Sequence, residues 1–585
     1  MLKRPLAALL AVPLSLILAS CGQPAATTSG ADPTAEGPAA SGGTLKVVGT
    51  DDHSQIDPVS YALVATNSIA RSITRQLISY QASNDQSANA VPVGDLAEDV
   101  PTVSDDGLTY TFKLRSNAMW DTPTPRAITS TDVANGLKKI CNPLKPAYTV
   151  TYFYSIVGFQ EFCEAYDTDN PNVADIKKHI LEDSVAGIET PDDTTVVIKL
   201  NSPASDFIYV LSLPNSSPVP VEALDYEPNS PDYIKNYISS GPYTVDEYVN
   251  DKHLYLKRSA GWNAESDPIR AANVDRIEIT YGVAADAAMQ QVQSGDANIL
   301  YGMQVPPAQY ATLSTTGDEN IVIYPSGATF FLWINSVSPN NNGALAETKV
   351  RQALQYGVDK QAMVQQLGGP DVAEPATGIF GSTVVGHSNN DAYATTDSKG
   401  DPEKLKSLLT EAGVSNLKLK LAYRSDNATE PDIAQIIQQS FAAAGVEIEL
   451  VPKPSSDFYG QFLMVHENGR NGEWDLALCG WNPTWAGGAA RAVYQPQFTY
   501  PPEASYNYTD YNSDKAVELM KQAMAATMDE APAIWAQVSD AVMDDPPVIP
   551  LYSRKNIHYH SPEVSNYLEY VLAQEGDWTN MALAS

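Results

Sequence analysis

The segment Gly480-Trp481-Asn482-Pro483-Thr484-Trp485 sets two indole rings four positions apart in a stretch of Gly, Pro and small polar residues. Such a stretch reads as a loop rather than a helix. Broad amphipathic rings held on a loop suit a pocket wall or an interface, with burial of one ring in plain core as the alternative. Other chemistry is poorly supplied. The 7 histidines are scattered, and the one close pair, His558 and His560, shares a strand face by the period of two. A metal centre needs three or four ligands, more than that pair supplies. No Gly-x-Ser-x-Gly elbow, His-Glu-x-x-His pair or Gly-rich phosphate loop is present. Asp105-Asp106 and Asp544-Asp545 read as turn formers rather than as an acid and a base. The inventory points to binding without catalysis, and no cofactor and no metal are expected.

The N-terminus places these residues outside the cytoplasm. Lys3 and Arg4 precede an apolar run at 6–18 and the small residues Ala19 and Ser20, so 1–20 reads as a secretory signal. The run is shorter than the roughly 18 to 20 residues a spanning helix needs, which makes a permanent span the weaker reading. Leu18-Ala19-Ser20-Cys21 resembles the lipobox of bacterial lipoproteins, which implies lipidation of Cys21 after cleavage. An ordinary cleavage site followed by a chance cysteine is the alternative. Two or more acyl chains give stable anchoring, and 21–42, built from Ala, Thr, Ser, Gly and Pro, reads as a flexible tether. The expected location is extracytoplasmic, anchored by lipid to the outer face of the cytoplasmic membrane. In that oxidising setting Cys141 and Cys163 are expected to pair as a structural disulfide, leaving Cys479 a lone buried thiol.

More than 500 residues follow the tether, too many for a single core, so two or three compact units are expected. Lys plus Arg is 36 and Asp plus Glu is 70, a net charge of -34 that becomes -36 once Lys3 and Arg4 leave with the signal. Nucleic acid is excluded as a partner on that balance, and the acidity otherwise reads as a solubility feature. Strand and helix patterns mix along the chain. Alternation predicts strands at 108–114, 194–200 and 277–281, and an apolar run predicts a buried one at 331–335. Fourfold spacing of Ile69, Ile73 and Leu77 predicts a helix over 67–79, and another is predicted over 350–367. Strand 417–423, a helix ending at 444 and strand 446–450 form a crossover unit, whose strands pair in parallel. The class is α/β.

Several short motifs then occur in a fixed order. They are Val103-Ser104-Asp105-Asp106-Gly107 with the following strand to Arg115, Trp120, Ser240-Gly241-Pro242-Tyr243, Val292-Gln293-Ser294-Gly295-Asp296, Val350-Arg351-Gln352-Ala353-Leu354 with Asp359-Lys360, Glu411-Ala412-Gly413, and 474–481 through Gly480-Trp481. In this order they resemble the family 5 extracellular solute-binding proteins, which include the oligopeptide- and dipeptide-binding proteins. The resemblance implies a two-lobed periplasmic-binding-protein-like clamp, type II and cluster C-like, with an extra subdomain. By analogy the first lobe comprises 43–82, 200–325 and 548–585, the extra subdomain 83–199, and the second lobe 326–547, with hinge crossings near 326–330 and 546–550.

The family function so implied is a monomeric receptor that closes on a peptide and delivers it to ABC transporter permease subunits. The same clamp holding a sugar, metal chelate or siderophore is the alternative, and a secreted hydrolase a distant one. Relatives add an extended peptide as a strand between the lobes. The resemblance places Gly480, Trp481, Asn482, Thr484 and Trp485 on one wall, Leu63 and Val64 on the opposite one, and Phe330 beside them. Oligopeptide-binding relatives carry an aspartate about three residues past the Gly-Trp pair, where it takes the ligand's ammonium. Thr484 stands there instead, which implies either a ligand without a free N-terminus or an acid reaching the site from elsewhere in the fold.

Overall fold

The computed structural model describes residues 42–584 except 53–54, 62–63, 148, 167–168, 389–390, 428, 484–487, 500–505 and 574. Thr44–Gly49 is a strand that buries Leu45 and Val47 in one core and Val48 in another, with Lys46 exposed. It pairs in parallel with Arg276–Thr280 and Ile299–Tyr301. With the antiparallel hairpin Tyr243–Val249 and His253–Arg258 these strands make a five-stranded sheet. A second sheet lies wholly within 102–199: Thr102–Val103, Thr109–Lys113, Thr195–Lys199 and Ile188–Asp192, all antiparallel. The helix Ser130–Lys139 packs beside it, begun by a capping box between Thr129 and Asp132. Cys141 and Cys163 are disulfide-bonded, and Cys479 is free and buried.

The third sheet has six strands in the order Ala373–Pro375, Val548–Tyr559, Ile321–Ile334, Leu476–Trp481, Lys418–Arg424, Glu447–Lys453. Its last two strands are parallel and joined by the helix Glu430–Ala443, which lays Ile433, Ile437 and Phe441 on the sheet. Among the described residues no helix is long and apolar enough to cross a membrane.

Two predicted helices differ from the observed ones. The first ends at Ile73, and Thr74 is already extended, so Leu77 is not on a helix. The apolar spacing continues, but ionic contacts override it: Arg75 Nε donates to Asp95 Oδ1 at 2.7 Å and Arg75 Nη2 to the Ser266 carbonyl at 2.8 Å, all inside the core. Ile78–Tyr80 then becomes a strand against Pro92–Gly94. The helix predicted over 350–367 is cut into Thr348–Leu354, a 3-10 turn Gln355–Gly357 and Lys360–Leu367. A Cβ on Gly357 would lie 2.4 Å from the Phe441 ring, so the break falls where the chain passes closest to the crossover helix. Asp359 caps the restart by accepting from the Ala362 amide.

Two long antiparallel strands organise the centre. Ile321–Ile334 and Val548–Tyr559 pair from Ile321 opposite Tyr559 to Pro325 opposite Lys555, lose register, and pair again from Thr329 opposite Ser553 to Trp333 opposite Val548. The interruption holds Ser326, Gly327 and Ala328. Gly327 sits at φ +75°, a left-handed conformation that favours glycine, and Ser326 Oγ donates to the Arg554 carbonyl at 2.7 Å. Beyond the interruption, His560 bridges Ile299 of the five-stranded sheet. On the second strand a further register shift passes over Leu551, between Tyr552 opposite Phe330 and Pro550 opposite Phe331, and the wider break falls at Ser553 to Lys555.

Candidate ligand-binding site

A cavity of about 300 Å³ opens at this interruption. Tyr324, Pro325, Ser326, Gly327 and Phe330 of the first long strand line it, with Arg554 and Asn556 of the second. Val64 and Asn67, at the start of the first helix, close one side together with Gln304 and the C-terminal segment 569–573. Thr383, Val384, Asn482 and Pro483 close the other. The strand break creates the space, because three residues that do not pair leave a step between two regular stretches.

Of the residues expected to bind, Val64, Phe330 and Asn482 line the cavity. Gly480 lies directly opposite Phe330 in the sheet, and a Cβ there would sit 2.8 Å from the Phe330 ring, so its missing side chain lets that ring lie flat. The ring stacks on Tyr552 at 4.8 Å between centroids, and the Arg554 guanidinium stands 5.0 Å from it. Trp481 stands apart from this group. It is absent from the cavity lining; Nε1 donates to the Ala492 carbonyl at 3.2 Å, and its ring meets Tyr506 edge to face. The reason is the strand period of two along Leu476–Trp481, which sends Trp481 to the face opposite Gly480. Leu63, Thr484, Trp485 and the lipidation residue Cys21, with the whole signal and tether, lie outside the described residues.

The charged lining was not anticipated. Glu569 is 9% exposed, and among the described residues no lysine, arginine or histidine pairs with its carboxylate, which burial pushes up to about 7. Arg554 meets no carboxylate among the described residues; Nη2 donates to Thr429 Oγ1 at 2.9 Å, while Nε is buried with no hydrogen-bond partner. Neutral hydrogen-bonding groups stand nearby: Gln304 Nε2 donates to Asn556 Oδ1 at 3.0 Å, and Asn67 Nδ2 to the Leu572 carbonyl at 2.6 Å. A signal for part of this was present, since Ser553-Arg554-Lys555-Asn556 is a polar run inside an otherwise apolar strand.

The family model for bacterial extracellular solute-binding proteins, family 5 (middle) matches residues 91–489. The chain belongs to that family. Among curated proteins, this family 5 chain is 26% identical over 477 residues to the glutathione-binding protein GsiB of Salmonella typhimurium, covering 80% of this chain and 81% of the relative. It is 25% identical over 395 residues to di/tripeptide-binding protein 4 of Pseudomonas aeruginosa, covering 65% and 66%. Among solved structures, clavulanic acid biosynthesis oligopeptide binding protein 2 superposes with a TM-score of 0.80 at 24% identity, covering 93% of this chain and 96% of that one. The family 5 protein thus has the type II periplasmic-binding-protein fold, a mixed α/β architecture of several sheets.

Proposed function

We propose that the protein is the receptor of an ABC importer, that it captures short peptides, and that it is a binding protein with no catalytic step of its own. One observation carries this reading: the cavity sits at the break in the two long strands and joins hydrogen-bonding amides with one charge of each sign that finds no ionic partner among the described residues. Amide side chains such as Asn67, Asn482 and Asn556 match peptide groups, which both donate and accept. A volume of about 300 Å³ is at the low end of ligand pockets, roughly 300 to 1,000 Å³, and suits a ligand of few residues. The relatives named for glutathione and for di- and tripeptides support the same class.

In this reading the five-stranded sheet and the 102–199 sheet belong to one lobe and its extra subdomain, and the six-stranded sheet to the other. The hinge is the interruption at Ser326 to Ala328 with Ser553 to Lys555. A few dihedrals there open and close the cavity. Arg491 and Asp206, buried and 2.6 Å apart, join the two sides beyond the cavity. Lipidation of Cys21 holds the receptor, a monomer, at the outer face of the membrane near its permease. Native mass spectrometry of the purified protein tests the ligand class: a distributed series of short-peptide masses is expected, and a single non-peptide compound would overturn the proposal. Small-angle scattering with saturating ligand tests the hinge, and unchanged dimensions would count against it.

A further inference from the structure

Past the Gly-Trp pair the sequence has Thr484, a residue that brings no charge. The fold supplies an acid from another direction. Glu569 comes from the C-terminal segment, more than 80 residues further along, and its side chain is more than nine-tenths buried at the wall of the cavity. A second carboxylate nearby has a different status: Glu575 accepts from Ser68 Oγ and from the Gly302 amide, both at 2.9 Å, and is satisfied within the fold. Glu569 has no such donors on its carboxylate among the described residues. A buried carboxylate without donors is costly unless a partner arrives.

Among the described residues no cation matches it. Arg554, on the same cavity, is likewise held by one hydroxyl and an aromatic face and has a buried, unused Nε. Had the two groups been there to stabilise the empty fold, they would pair with each other or with neighbours, as Arg424 does with Glu430 and Arg351 with Asp545. Resting on the reading of the protein as a peptide receptor, we propose that Glu569 receives the ligand's free ammonium and Arg554 its free carboxylate, so the cavity selects short peptides with both termini unblocked. The guanidinium offers the planar pair of donors that a carboxylate accepts. The phenols of Tyr324 and Tyr567 feel the charges of both Glu569 and Glu575, and the His560 ring lies 5.0 Å from that of Tyr567. The pushed-up Glu569 carboxyl would fall on binding an ammonium, so ligand uptake near pH 6 to 7 should release a proton.

The test uses the intact protein and three probes: an equimolar tripeptide mixture, the same mixture N-acetylated, and the same mixture C-amidated. Binding is read by calorimetry and native mass spectrometry. The wild type should bind the free mixture at least about tenfold more tightly than either blocked one, about 1.4 kcal/mol. Glu569→Gln should lose about tenfold for the free mixture and discriminate less than about threefold against acetylation, while Glu569→Asp keeps the preference. Arg554→Gln should do the same for amidation alone. Each variant's melting curve without ligand shows that it is folded. A Glu569→Gln protein that keeps the tenfold preference for free amines would overturn the assignment while leaving the peptide receptor intact. No binding of any tripeptide mixture to wild type would overturn both.

Discussion

Replacing Asp95 by asparagine tests whether buried ionic pairing, rather than helical propensity, sets the path of the chain beside the cavity. The carboxylate is 0% exposed and accepts from Arg75 Nε at 2.7 Å, Arg270 Nη1 at 3.0 Å, Arg270 Nη2 at 2.8 Å and the Gln76 amide at 3.2 Å. Burial alone would raise this carboxyl, but Arg270 and Arg75 outweigh burial and hold it well below the usual carboxylate range. Asparagine keeps the oxygen facing Arg75 and Arg270 Nη1. Its amide then points donors at two other donors, Arg270 Nη2 and the Gln76 amide. Asp267 remains, 3.1 Å from Arg270, so a balanced group of two arginines and two aspartates becomes a buried net cation. Hydrogen bonds to charged groups contribute about 1.5 to 3 kcal/mol each, and breaking a buried ion pair costs about 3 to 5 kcal/mol. Asp95→Asn should therefore lose about 3 to 5 kcal/mol. The assay is urea unfolding followed by tryptophan fluorescence at neutral pH, with Asp397→Asn as control. Asp397 pairs with Lys399 in the open, at 3.2 Å with both side chains more than half exposed, and its loss should cost under about 1 kcal/mol. If the two variants unfold within about 1 kcal/mol of each other, the ionic account of the extended segment after Ile73 is wrong.

Gly480→Ala should push the Phe330 ring off Tyr552 and cost about 1 to 3 kcal/mol, since the added carbon would start 2.8 Å from that ring; a melting temperature and ligand affinity equal to wild type would show that the ring has room to move. Burial lowers His558 to about 3, so between its ordinary value of 6.5 and that point the unfolded chain takes a proton that the folded chain does not. Stability should then fall on acidification by about 1.4 kcal/mol per pH unit from this group, and stepped-pH melting of His558→Gln should show that slope removed. Protein beginning at residue 42, unfolded without reductant, should show one reactive thiol by dye titration, that of Cys479, and three would rule out the Cys141 to Cys163 bond. Reducing that bond should cost about 3 kcal/mol, read by urea unfolding with and without reductant.

Periodicity, turn residues and capping are local, and what they dictate could be read from the chain. The parallel unit of Lys418–Arg424 and Glu447–Lys453 follows from alternation and a helix between them, and the strand Thr109–Lys113 follows from Asp105-Asp106-Gly107 and the alternation after it. The ordered motifs carried the family, and Phe330, Asn482 and Val64 line the cavity. Which face Trp481 presents was decided by strand register, since a period of two turns each residue away from its neighbour. The early end of the first helix was decided by a guanidinium whose carboxylate lies 20 residues on, and Arg71 finds Asp577 across 506 residues. Nothing in the sequence near Glu569 or Arg554 marks them as a pair. Tertiary structure brings them to one cavity, because the two long strands break register together at Gly327 and the C-terminal segment returns across that break. Long-range electrostatics and the geometry of a strand interruption depend on contacts between distant parts of the chain, and only folding sets those contacts.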